Sequence, residues 1–361
     1  MATATPMSDV EKFVQEELMK SIMHEEVKKA GIDKKLVLKP KARKALAGQK
    51  MYSDVFGYKP VSVIDFPVTI LISKDIPVAI AALVPDATDP ELQDYVPQQE
   101  QLEQLVFSWE NHEKVLISGP TGSGKSSMVK FACQKLNRPF VRVNMNGDIE
   151  SSALFGQLVV EDGGTVWKDG AVTEAIKFGG VVCIDEWEVS PPEITMSMQS
   201  VLERGGILFL KEKPGTSFDK MVKPHDNTRF VFCGNTVGQG DDSGQFAGTN
   251  VQNTATIDRF DTAIYLDYLS QEHETAIVKS KVPDIDDQII KLMLQYAALI
   301  RAAYKQTNIG LTMSPRTLIN WARKTVNYGS YKTALNYCFV NKLRDGDKKV
   351  AQEVFTKVFG K

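Results

Sequence analysis

The run G-P-T-G-S-G-K-S, Gly119, Pro120, Thr121, Gly122, Ser123, Gly124, Lys125 and Ser126, carries the most specific chemistry in the chain. It fits G-x-x-x-x-G-K-[ST], a loop whose glycines let backbone N–H groups curl inward onto phosphate oxygens. Ser127 follows directly and belongs to the same phosphate-binding set. Lys125 can reach the β- and γ-phosphates as a compact cation, and the Ser126 hydroxyl can ligate Mg²⁺. A second signal is Asp185-Glu186, two acids closing the apolar run Gly180–Ile184. There Asp185 would hold Mg²⁺ through water and Glu186 would polarise an attacking water as general base. Asn235 closes another apolar run, Arg229–Gly234, where it can orient that water or touch the γ-phosphate. Arg259 precedes a last apolar run and reads as an arginine finger for a neighbouring subunit's γ-phosphate. Arg316 sits in the first turn after Ser314-Pro315, where a cation opposes the helix dipole unless it faces an anion. Each of these arginines also has a plain alternative as a surface residue.

Positioning these groups requires a particular order of elements. Val115–Ser118 must be a buried strand and Ser127–Leu136 a helix, because the phosphate loop has to end on a helix N-terminus. Further strands are expected at 140–144, 180–186, 229–234 and 262–269. Two hairpins interrupt the crossovers: 157–170, turning at Asp162-Gly163-Gly164, and 207–222. A helix is expected from Pro191-Pro192 to Leu202. From Ser270 onward only helices are expected, over 270–281, 285–306, 314–328, 331–344 and 347–359. Upstream, 8–30 reads as an amphipathic helix, 60–85 as a small β-rich module built on V-S-V-I and V-T-I-L-I, and 83–100 as a linker into the helix 99–111. The divisions expected are therefore 1–98, an N-terminal segment; 99–269, a nucleotide-binding α/β domain; and 270–361, a helical lid.

The bulk properties narrow the class. The chain has 361 residues, is 43% hydrophobic and has a formal net charge of −2, so no global field draws it to nucleic acid or membrane. Residues 28–50 are the local exception, crowded with Lys and Arg against the single acid Asp33; a nucleic-acid or partner arm and a solvated basic face are both open there. The 4 cysteines and 4 histidines are scattered without metal-ligand spacing, which argues against a zinc ribbon or a disulfide framework. The longest apolar run is too short for a bilayer, and a cytoplasmic location is expected.

The ensemble resembles AAA+ ATPases, and the two hairpins resemble those of the MoxR/chelatase clade. The stretch G-N-T-V-G-Q-G-D-D-S-G-Q-F-A-G-T-N-V-Q-N-T-A-T-I-D-R-F and Met313-Ser314-Pro315-Arg316-Thr317 are similar to the small ATPase subunit family of aerobic cobaltochelatase, CobS. Cys233-Gly234, Phe246 and Phe260 depart from that family's pattern. The resemblance covers about residues 105–360. It implies a P-loop three-layer αβα core with a parallel sheet and hairpin insertions, followed by an all-helical lid. It also implies ATP and Mg²⁺ as ligands, Asn235 as sensor 1, Arg316 as sensor 2 and Arg259 acting in trans. The implied assembly is a homo-oligomeric ring, a hexamer, working with an adaptor that carries a metal-dependent adhesion domain and with a large chelatase subunit. A MoxR-like chaperone with another client, including one in a phage setting, is the alternative; a nucleic-acid-stimulated ATPase and a non-hydrolysing scaffold are the others.

Overall fold

The computed structural model describes residues 46, 48–93, 95–240 and 248–360. The helix expected at 8–30, most of the basic run 28–50 and Phe246 lie outside them.

The chain enters through a small antiparallel pair, β1 (Gln49–Met51) and β2 (Pro67–Thr69). Next come α1 (Gln99–Glu110), β3 (Val115–Ser118), α2 (Lys125–Lys135) and β4 (Phe140–Asn144). The hairpin β5 (Gly156–Glu161) and β6 (Gly164–Asp169) leads into α3 (Ala171–Phe178) and β7 (Val181–Asp185). The pair β8 (Leu208–Phe209) and β9 (Met221–Val222) precedes β10 (Arg229–Gly234), the short α4 (Thr254–Ile257) and β11 (Thr262–Tyr265).

Five of these strands form one parallel sheet in the order β11-β3-β10-β7-β4. Parallel sheets need cover on both faces, and β3, β7 and β10 are accordingly buried at every position. Alternate residues face opposite layers. Ile117, Cys183 and Val231 pack with Leu105, Trp109, Met128 and Ala132 of α1 and α2. Leu116, Ile184 and Phe232 pack with Val172 and Ile176 of α3 and with Trp187. The register sets Gly234 beside Ser118 and Cys233 beside Asp185, so the carboxyl ends of β3, β7 and β10 finish at one edge.

Beyond β11 follow α5 (Gln271–Lys281), α6 (Asp287–Lys305), α7 (Pro315–Tyr328), α8 (Tyr331–Cys338) and α9 (Asp345–Phe359). They enclose their own core around Met293, Tyr296, Trp321, Phe339 and Phe355. Ser270, Asp286, Ser314 and Ser330 cap four of these helices through side-chain oxygens that accept backbone N–H bonds.

Several expected elements come out differently. V-S-V-I forms no strand: the N–H groups of Val61 and Ser62 bond the carboxylate of Glu103 on α1 instead of a partner strand. The 83–100 linker is pinned to α2 by Asp89 and Glu91, both ion-paired to Lys130. The hairpin at 207–222 pairs only two residues on each side, the rest being a loop in which Asp219 accepts from Thr216. The helix expected to run to Leu202 is broken at Met198 into Pro192–Ser197 and Gln199–Leu202. The last strand stops at Tyr265, and α8 stops at Cys338, because buried Phe339 leaves the helical region at φ −136.

Candidate functional site

Where the strand ends meet, Thr121, Gly122, Gly124, Lys125, Ser126, Ser127, Asp185, Glu186, Asn235 and Arg316 line one cleft of 220 Å³. Lys125, the first residue of α2, is 9% exposed. Its Nζ donates to the carbonyls of Gly119 and Pro120 at 2.8 and 3.1 Å and to Asn235 Oδ1 at 3.1 Å. Burial pulls its pKa down, opposed by Cys233, Asp185, Glu188 and Glu186. Thr121 Oγ1 also lies 3.4 Å from Asn235 Oδ1. Gly122 takes φ +77, and a Cβ there would stand 2.8 Å from Ser314 Cβ, so the loop lies directly against the start of α7.

Ser126 and Asp185 offer hard oxygen donors on the same cleft, and Ser123 Oγ within the loop is buried without a hydrogen-bond partner. A nucleotide phosphate chain with a small hard dication suits this set. Asp185 is ion-paired to Arg142, a residue of β4 that also lines the cleft. Glu186 follows β7 at φ 55, a left-handed conformation that turns the chain away as it leaves the sheet.

A second cavity of 520 Å³ adjoins the first and shares Glu91, Gly122, Gly124, Ser127 and Arg316 with it. Tyr95, Ile319, Asn320 and Arg323 complete much of its wall, and the Tyr95 ring lies 3.4 Å from the position a Cβ on Gly124 would take. A mixed apolar and polar wall of this size accommodates a nucleoside. Arg316 lines both cavities.

Of the named residues, Gly119, Pro120, Ser123 and Arg259 do not line the cleft: the carbonyls of Gly119 and Pro120 accept from Lys125 and Ser123 lines the adjoining cavity, while Arg259 lies elsewhere. It lines a separate groove of 600 Å³ between the two hairpins, with Trp167 and Phe209. Its Nη2 is 2.8 Å from Glu203 Oε1, and its Nη1 donates to the Ala255 carbonyl.

Five participants were not singled out from the sequence. Arg142 sits in a strand whose pattern names no partner. Glu188 is fully buried, and its Oε1 accepts the backbone N–H groups of Asn235 and Thr236. Burial holds its carboxyl above the usual range, against the pull of those N–H groups and of Lys125. Tyr268 donates to the Thr121 carbonyl at 3.1 Å while the Arg301 guanidinium lies 4.1 Å over its ring. Arg301 in turn forms a bidentate pair with Glu274, both contacts 2.8 Å, and donates to the Met313 carbonyl. Glu91 accepts from Ser127 Oγ at 2.6 Å. A charge inside an apolar run was the available signal for Arg142, and an acid two residues past Glu186 for Glu188.

Among the described residues no cluster of His, Cys, Asp or Glu could hold a metal ion alone, and no helix is long and apolar enough to cross a membrane.

Comparison with known proteins identifies the family. The AAA domain of the dynein-related subfamily matches residues 114–260, and the CbbQ/NirQ/NorQ C-terminal family matches 274–358. The chain is 32% identical over 287 residues to aerobic cobaltochelatase subunit CobS of Sinorhizobium sp, covering 77% of this chain and 84% of that one. It is 27% identical over 179 residues to protein CbbQ of Hydrogenophilus thermoluteolus, covering 50% and 62%. It is 30% identical over 155 residues to protein NorQ of Paracoccus denitrificans, covering 38% and 57%, so it spans under two thirds of these last two. With these matches, the chain belongs to the AAA+ ATPases of the MoxR/chelatase clade and is an ATP hydrolase.

Proposed function

We propose that this chain is the ATP-hydrolysing motor of a cobaltochelatase-type complex, in which hydrolysis drives insertion of Co²⁺ into a corrin ring by a separate catalytic subunit. The observation that carries this reading is the match to CobS, which extends over most of both chains. In it, residues 99–269 hold and cleave the nucleotide and residues 270–361 act as the moving lid.

The chemistry follows from the cleft. Backbone N–H groups of Gly122 to Lys125 and the Lys125 ammonium would cradle the phosphates, while Ser126 and Asp185 would hold Mg²⁺. Bound there, Mg²⁺ neutralises charge that develops on the phosphate oxygens. Glu186 takes a proton from the attacking water, and Asn235, held by Lys125 and Thr121, orients that water. Arg316 reads the phosphates from the lid. Arg259, which lies outside its own cleft, is donated to the cleft of the next subunit in a homo-oligomeric, hexameric ring.

The test is cobalt insertion by this chain with an adhesion-domain adaptor, the large chelatase subunit, a corrin precursor, Co²⁺ and ATP. Insertion that requires both the chain and its hydrolysis supports the reading. Hydrolysis indifferent to all of those partners sinks it. In that event the match of residues 274–358 to the CbbQ/NirQ/NorQ family favours a MoxR-like chaperone acting on another protein.

A further inference from the structure

Glu188 occupies a place that hydrolysis by Glu186 does not explain. It is a fully buried acid, and no cationic side chain among the described residues is bonded to it. One carboxylate oxygen, Oε1, takes the backbone N–H of Asn235 at 2.5 Å and of Thr236 at 3.4 Å. The other, Oε2, has no hydrogen-bond partner and lies over Gly234, where a Cβ would come within 2.3 Å of it. Gly234 thus leaves the room that this carboxylate fills. A buried carboxylate is costly, and one kept on two backbone N–H groups fixes the chain that carries them.

The backbone of the same residue reaches the other way. The Glu188 carbonyl accepts from the Asn250 N–H at 2.7 Å and from Gln252 Nε2 at 3.3 Å. Gln252, 2% exposed, also donates to Ser190 and accepts from Thr195. Asn253, the next residue, caps α4 by accepting from the Ala255 N–H at 2.8 Å. Arg259 leaves the end of that helix, and its Nη1 bonds back to the Ala255 carbonyl.

We propose that Glu188 is a positioning residue that couples the two faces of a subunit: its carboxylate sets Asn235 in the subunit's own cleft, and its carbonyl anchors the segment that presents Arg259. This rests on the reading of Arg259 as a residue donated to a neighbour. Glu188 touches no reacting atom. It acts through Asn235 on one side and through Gln252 and α4 on the other.

The test uses the full chain in its assembled state. Glu188→Ala should bind a fluorescent ATP analogue within about threefold of the parent, while kcat falls about tenfold or more through loss of the acceptor for two N–H groups. Glu188→Gln keeps that acceptor and should recover most of the kcat. Mixed assemblies test the coupling. Arg259→Ala subunits mixed with Lys125→Ala subunits should regain activity, because an intact Arg259 then meets an intact phosphate loop. Arg259→Ala mixed with Glu188→Ala should not, since without the carboxylate's hold on Asn235 and Thr236 the Glu188 main chain, whose carbonyl the substitution keeps, shifts and carries the Arg259 segment with it. Gln252→Ala, which leaves the carboxylate in place, should also fail to restore Arg259→Ala, yet work when Lys125→Ala subunits supply the arginine. This last variant decides the matter if Glu188→Ala does not fold. A folded Glu188→Ala with parental kcat overturns the positioning role. Recovery by Glu188→Ala or Gln252→Ala of the Arg259→Ala subunits overturns the coupling. Failure of the Lys125→Ala and Arg259→Ala mixture points instead at the donated arginine itself, leaving the kcat comparison to judge Asn235.

Discussion

Glu186 stands at φ 55, and holding a bulky side chain in that region costs on the order of 1–3 kcal/mol. The position just after β7 makes the outlier intelligible, because the chain must leave the sheet while a carboxylate stays over the cleft. Replacing Glu186 by Gln keeps the shape and removes the proposed base. ATP binding should survive and kcat should fall by about 10²–10⁴, read by comparing equilibrium binding with steady-state hydrolysis. Glu188, two residues on, gives a pH prediction. Its folded pKa is raised, so the stability it contributes is full below the unfolded carboxyl pKa and is lost as pH rises through the folded value. Glu188→Gln does not titrate, so melting temperatures of the variant minus the parent should increase from about pH 4 upward and then level off. A difference independent of pH would show that the carboxyl is not raised. At this scale the sequence exposed the residues whose identity is demanded by chemistry: Lys125, Asp185, Glu186 and Asn235 all meet in one cleft. It hid Arg142 and Glu188, because what they bond lies on other strands and only the register brings it near.

Among the elements, the buried strands were legible because β3, β7 and β10 are unbroken apolar runs, as strands covered on both faces must be. The weak pair β8 and β9 was legible only as a tendency, since two paired residues on each side leave little pattern to read. V-S-V-I misled for a related reason: β-branched residues mark a half-buried surface, and here the backbone found a carboxylate on α1. The seam between the phosphate loop and α7 gives the prediction for this scale. In Gly122→Ala the new methyl meets Ser314 Cβ, and the left-handed backbone costs a further 1–2 kcal/mol or about that. Nucleotide affinity should fall at least about tenfold, and the melting temperature should drop as well. Titration calorimetry with an unhydrolysed ATP analogue checks it; unchanged affinity would mean that the loop and α7 do not pack this closely.

Among the described residues there are two kinds of core, layers around a parallel sheet and a helical bundle, and this division was visible in the switch from strand runs to helical periodicity at Ser270. What could not be seen was how the two are fastened. Tyr268 is one fastening, beside the seam of Gly122 with the start of α7: its hydroxyl reaches the phosphate loop at Thr121 and lies 3.4 Å from Thr312, while Arg301 ties its ring to Glu274 and Met313. That one phenol has a consequence for how the protein breathes. Removing its oxygen in Tyr268→Phe leaves the ring and the cation above it, so the bundle should keep its own protection against hydrogen–deuterium exchange. The amides around 120–124 should exchange faster, because the loop loses its tether while its strand and helix remain. Equal exchange in both proteins would place the tether elsewhere. If the loop alone quickens, the slow openings of the phosphate loop are timed by a residue of the chain that links it to the bundle.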